Sequence, residues 1–131
     1  MRLLLDTHIA LWAVVDDPRL PPKAVELIAD PANEVFVSVA SLWEIAIKHA
    51  LARGGRNDMP VSAQEALGYF HGAGYVLLDI QSTHAVAVDE LPKLHADPFD
   101  HILVAQALSM PLRLLTRDVR MARYSDTVIM V

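Results

Sequence analysis

"RLLLDTHIALWAVV", residues 2–15, changes its pattern once, at Asp6. The three leucines before that acid read as a strand covered on both faces, and from His8 to Val15 the chain is apolar at helical length. Asp6 stands at the junction, where it is either the N-cap of the helix or a carboxylate at the carboxyl end of a strand. A buried strand running through an acidic junction into a helix is the opening half of a βαβ unit. It predicts an α/β fold.

The rest of the chain repeats that alternation. Beyond the turn "DDPRLPP" a second helix runs from about Pro22 to Ala29. "EVFVS" (34–38) is a strand, and "ASLWEIAIKHALAR" (40–53) is a long helix stopped by Gly54-Gly55. Ser62 opens a helix near 62–71, and Gly74 precedes the strand "YVLL" (75–78). A helix across 82–90 ends before Pro92, and another spans about 98–109, up to Pro111. "RLLT" (113–116), a short helix at "DVRMAR" and the strand "TVIMV" complete the pattern. Five near-continuously apolar strands between helices predict a central parallel sheet with helices on both faces, a three-layer sandwich. Catalytic and binding groups in such sheets gather at the carboxyl ends of the strands, near a topological switch point.

The composition agrees. The chain has 131 residues, 53% hydrophobic, with a mean hydropathy of +0.31, which implies one domain over 1–131 and excludes disorder. Without cysteine there is no disulfide, thiol nucleophile or thiolate metal site. The start "MRLLLDTH" is no signal peptide, and no apolar run reaches the roughly 20 residues of a membrane span, so a cytoplasmic protein is expected. A net charge of −5, from 16 acids against 11 bases, argues against binding nucleic acid by bulk charge. It is compatible with an acidic site whose excess a cation cancels.

Four acids form a pattern. Asp6 and Asp118 follow predicted strands, and Asp100 lies at the mouth of an otherwise apolar helix in "HADPFDHILVAQA" (95–107). Glu44 is the only ionisable residue between Glu34 and Lys48, so it either pairs with Lys48 one turn on or faces a polar pocket. Asp97, Pro98 and Asp100 also suit a helix start as cap, first residue and third-position acid. Each acid thus has a local explanation, but together they could converge at one edge of the sheet. Gathered carboxylates cannot all stay ionised without a counter-charge, and magnesium or manganese accepts such oxygen ligands. An ion of this kind acidifies water and stabilises a phosphodiester under attack. No histidine pair has zinc spacing: His95 and His101 are six apart, and His84 is isolated.

"LLLDTH", "SVASLWEIAIK", "HADPFDHILVAQA" and "LLTRD", in this order over nearly the whole chain, together resemble the PIN domain, specifically the VapC-type toxins of bacterial toxin–antitoxin pairs. The resemblance implies that Asp6, Glu44 and Asp100 coordinate magnesium or manganese and that Asp118 is the more variable fourth acid. Asp97 matches the other aspartate of "DPFD", as cap, supporting group or ligand, and His101 replaces the arginine the family often carries next. A metal-dependent endoribonuclease is implied, hydrolysing RNA with a metal-activated water, as are a homodimer and a cognate antitoxin. The competing reading is a catalytically silent PIN-like module acting through its protein partner. A phosphotransferase with Asp6 as nucleophile would resemble D-x-D-x-T, but "DTHIA" lacks the second aspartate.

Other residues have smaller parts. Thr7 and Thr116 are hydroxyls for a ligand carboxylate or a metal-bound water, or else turn and cap groups. Ser38 reads as a helix cap. His8 and His101 are neighbours of the acids rather than catalysts, and Trp12 and Trp43 read as core or interface packing. Lys48, His49, Arg53 and Arg56 concentrate positive charge in "KHALARGGR", either as cations at a helix C-terminus or, for Lys48, Arg53 and Arg56, as a rim contacting RNA phosphates.

Overall fold

The computed structural model describes residues 1–52, 54 and 59–131. Strand β1 (Arg2–Leu5) leads into α1 (Thr7–Val14) and α2 (Pro22–Ala29), and β2 (Glu34–Ser38) runs directly into α3 (Val39–Ala50). Then come α4 (Ala63–Gly72), β3 (Val76–Leu78), α5 (Ser82–Ala87), α6 (Pro98–Ser109), β4 (Arg113–Thr116), α7 (Val119–Ala122) and β5 (Val128–Met130). The five strands form one sheet in the order β3-β2-β1-β4-β5, and every neighbouring pair is parallel.

Period-two alternation explains how the triple leucine serves both faces. Leu3 and Leu5 enter one core with Val35, Val37, Ile9, Ile45 and Phe70, whereas Leu4 enters the other with Phe36, Leu103, Val104 and Leu114. All three leucines are fully buried. Helices α1 and α4 pack on the first face and α6 and α7 on the second, which makes the expected three layers. Helix α3 bridges them, with Ala40 in one core and Ile45 in the other.

Local chemistry sets the ends of the elements. Ser62 and Glu65 form a reciprocal capping box at the start of α4, and Gly74, at φ +79°, turns the chain toward β3. Helix α3 ends at Ala50, earlier than the glycine pair suggests, and Gly55 lies outside the described residues. The expected helix over 82–90 is α5 followed by one 3₁₀ turn, Val88–Glu90. Among the described residues no helix is long and apolar enough to cross a membrane.

The chain builds outward from β1 through β2 to β3, then returns to place β4 on the other side of β1. The crossovers therefore diverge between β1 and β4, and the carboxyl ends of those strands open the switch-point crevice. Asp6 follows one of these strands and Asp118 the other.

Candidate functional site

Asp6 occupies the N-cap position of α1, yet its carboxylate makes no capping bond. Its Oδ2 instead accepts a hydrogen bond from the Thr116 hydroxyl at the end of β4, 2.7 Å away. The same hydroxyl oxygen accepts from the Asp118 backbone N–H at 2.9 Å, so Thr116 fastens the exits of the two strands together. The backbone N–H of Asp6 also reaches the Leu115 carbonyl, at 3.0 Å.

Glu44 is only 4% exposed. Its Oε1 accepts from the Thr7 hydroxyl at 2.7 Å, and Thr7 in turn bonds Ser41 at 2.8 Å. Its Oε2 meets the Lys48 ammonium one helical turn on. Both alternatives for Glu44 are realised, because the carboxylate pairs with Lys48 and also lines a polar cleft.

Asp97 and Asp100 divide the labour at the mouth of α6. Asp97 Oδ1 caps the helix, accepting from the backbone of Phe99 at 2.9 Å and of Asp100 at 3.3 Å. Asp100, 7% exposed, is left to side-chain partners, and its Oδ2 lies 2.8 Å from His95 Nε2. His95 Nδ1 meets the Tyr124 hydroxyl at 2.9 Å, while its backbone carbonyl lies 2.7 Å from His101 Nε2. The three rings pack edge to face. Asp118 caps α7 through the backbone N–H of Arg120 and forks onto the guanidinium of the same residue, at 2.7 Å for the shortest contact.

Asp6, Glu44, Asp97, Asp100 and Asp118 all line one cleft of about 530 Å³. Lys48 lines it too, whereas Arg53 and Arg56 lie outside the described residues. Thr7 and Thr116 lie beneath it, fully buried.

Burial pushes the Asp6 carboxyl above the usual carboxylate range, against the Thr116 hydrogen bond, and the Glu44 charge adds to the rise. Burial likewise carries Asp100 to about 7; the His95 bond opposes this, and the charges of Asp6 and Asp97 add to it. Burial alone would lower the Lys48 ammonium, but Glu44, Asp97 and Asp100 hold it above its ordinary value. Asp118 is lowered, chiefly by its hydrogen bond to Arg120.

The oxygen-only acids and their mutual repulsion fit a hard divalent cation, with Asp6, Asp100 and Glu44 as the groups to hold it. Among the described residues, no three acidic or histidine side chains are gathered closely enough to form a finished ligand cage. Lys48 is the counter-charge nearest Glu44.

A family model described as the PIN domain matches residues 3–126. The chain belongs to the PIN domain family. Solved structures agree with this at the level of fold. A chain of VapBC2 from Rickettsia felis, bound to a promoter DNA fragment, is 19% identical with a TM-score of 0.70, and the match covers 100% of this PIN domain and 98% of that chain. A toxin–antitoxin complex from Klebsiella pneumoniae gives 18% identity and 0.64, over 97% and 95% of the two chains. VapBC-1 from nontypeable Haemophilus influenzae gives 15% and 0.64, over 100% and 97%. No curated protein matches this PIN domain.

Sequence reasoning passed over His95, Tyr124 and Ser41 in this PIN domain. Spacing bears on His95 only as half of a zinc pair and on Ser41 only as a residue one turn before Glu44, and nothing in the sequence marks Tyr124. Trp43, read as packing, is 61% exposed and meets the Phe99 ring edge to face, whereas Trp12 lines the cleft.

Proposed function

We propose that this PIN domain is a divalent-metal-dependent endoribonuclease, the VapC-type toxin of a toxin–antitoxin pair. One observation carries the reading: Asp6, Glu44 and Asp100 meet in one cleft at the switch point, where two of them are held above the usual carboxylate range. Magnesium or manganese, when bound, supplies positive charge that makes water more acidic and offsets charge developing on the phosphodiester.

The chain's own residues orient the acids. Thr116 fixes one oxygen of Asp6, and His95 fixes one oxygen of Asp100. Among the described residues the other oxygen of each accepts no side-chain hydrogen bond, which leaves it to face the ion. Thr7 and Lys48 hold the two oxygens of Glu44, and Arg120 holds Asp118. Hydrolysis needs no side-chain nucleophile: water adds to phosphorus, the bond to one ribose oxygen breaks, and that oxygen takes up a proton. Asp118 completes the ligand set only by giving up Arg120.

An antitoxin partner is supported by the shared fold with chains of VapBC and toxin–antitoxin complexes. A homodimer is supported by Trp43, Ile47 and Leu51, exposed apolar residues spaced one helical turn apart from α3 onward. A single domain in the cytoplasm completes the proposal.

The test is incubation of purified protein with total RNA in magnesium, manganese or chelator, followed by mapping of cut ends. Cutting that needs the metal and disappears in Asp6→Asn and Asp100→Asn is expected; cutting that survives both substitutions overturns the reading. The competing silent module draws support from Glu44 and Asp118, already neutralised by Lys48 and Arg120. A calorimetric titration with manganese separates the two, since a silent module takes up no ion.

A further inference from the structure

Among the described residues five basic side chains line the acidic cleft, and three of them are already engaged by acids. Lys48 is held by Glu44, Arg19 by Asp17 and Arg120 by Asp118. Of the other two, His8 tilts against the Trp12 ring, 5.7 Å between centroids. Arg117 is exposed, and no carboxylate among the described residues pairs with it. Its guanidinium carbon lies 5.6 Å from the centre of the Trp12 ring, a half-buried indole that also lines the cleft and carries the Asp17-bound Arg19 at 5.1 Å.

We infer that Arg117, braced by Trp12, is the residue with which the cleft grips a backbone phosphate of the RNA strand beside the one that is cut. The inference rests on the nuclease reading. A guanidinium held against an indole is positioned by the π-face and keeps all its N–H donors and its full charge, whereas one forked onto a carboxylate has committed two donors and its charge is offset. Phosphate oxygens accept two such donors side by side. The location is also apt, because Arg117 directly follows Thr116, whose hydroxyl holds Asp6. In a chain of net charge −5 where the other cleft arginines among the described residues, Arg19 and Arg120, are cancelled locally, an uncancelled cation dominates the attraction felt by a polyanion there.

The test is fluorescence anisotropy with a single-stranded RNA oligomer in magnesium across a salt series, on an Asp6→Asn chain so that the strand stays intact. Adding Arg117→Gln is expected to weaken binding about tenfold. It is also expected to reduce the slope of log K against log salt by about 0.7, the loss of one phosphate contact on a single strand. Lys93→Gln makes the same change in net charge at an exposed position outside the cleft and is expected to leave both quantities unchanged. In a Trp12→Leu background the effect of Arg117→Gln is expected to shrink.

Equal affinity and slope with and without Arg117, while the parent chain binds, overturns the inference and leaves the nuclease reading standing. An equal loss in Lys93→Gln also overturns it, by reducing Arg117 to bulk charge. Wild-type protein that neither binds nor cuts RNA overturns both.

Discussion

His95 links Asp100 to Tyr124: one ring nitrogen lies 2.8 Å from the carboxylate, the other 2.9 Å from the phenol. The imidazole is thereby fixed in both position and plane, and it fixes one Asp100 oxygen in turn. Outer contacts of this kind typically change metal affinity 10–100-fold, so His95→Ala is expected to weaken manganese binding by about that factor. Tyr124→Phe, one bond further out, is expected to cost only a few-fold. Isothermal titration with manganese checks both, and equal affinities in all three proteins would show that the linkage does not orient the acid.

Asp100 also makes stability depend on pH when metal is removed. Its carboxyl titrates near 7 in the folded chain, against an ordinary value of 3.8. The folded state therefore binds the proton more tightly, and stability falls as pH rises from about 4 to about 7. Below that window both states are protonated and no penalty exists; above it the penalty is complete. Asp100→Asn removes the titration. In chelator it is expected to exceed the parent by roughly 1–2 kcal/mol at about pH 8 and to match it near pH 4, while losing cleavage. Urea melts at the two pH values read the difference.

Thr116→Val keeps the side-chain shape and deletes one buried hydroxyl. Asp6 Oδ2 loses its donor and the Asp118 N–H loses its acceptor. A loss of about 1–3 kcal/mol in stability is expected, together with a fall in cleavage when Asp6 is no longer held. Thermal melts and initial rates, measured on the same preparation, separate the two effects.

Lys48 supplies the ammonium that offsets Glu44, Asp97 and Asp100. In Lys48→Met the nearly buried Glu44 carboxylate loses that partner. The metal-free protein is expected to lose about 1–3 kcal/mol, less than for a fully buried pair because Lys48 is partly exposed. Magnesium is then expected to raise the melting temperature of Lys48→Met more than that of the wild type. An equal rise would mean that ion and ammonium do not share the same acids.

The strands were legible because each is a short, nearly unbroken apolar run, and a parallel sheet buried on both faces permits little else. The mouth of α6 was legible for the same local reason: Asp97 before Pro98 can be read from cap chemistry alone. What the sequence left open depends on contacts far apart in the chain. The order of strands is decided by which apolar faces cover one another, not by any single run. Tyr124 reaches His95 from beyond β4, and no periodicity connects them. Glu44 admits two readings in sequence because Thr7, which takes one of its oxygens while Lys48 takes the other, comes from a distant helix. The engagement of Asp118, the more variable fourth acid, by Arg120 depends on a side-chain rotamer, which spacing does not specify.

The Thr116–Asp6 bond joins positions 110 residues apart. A polypeptide whose translation halts anywhere short of Thr116 therefore carries the first acid without the hydroxyl that steadies it, and without β5 at the sheet's edge. The order of synthesis therefore leaves the Asp6 carboxylate unsteadied until β4 has been made and docked against β1.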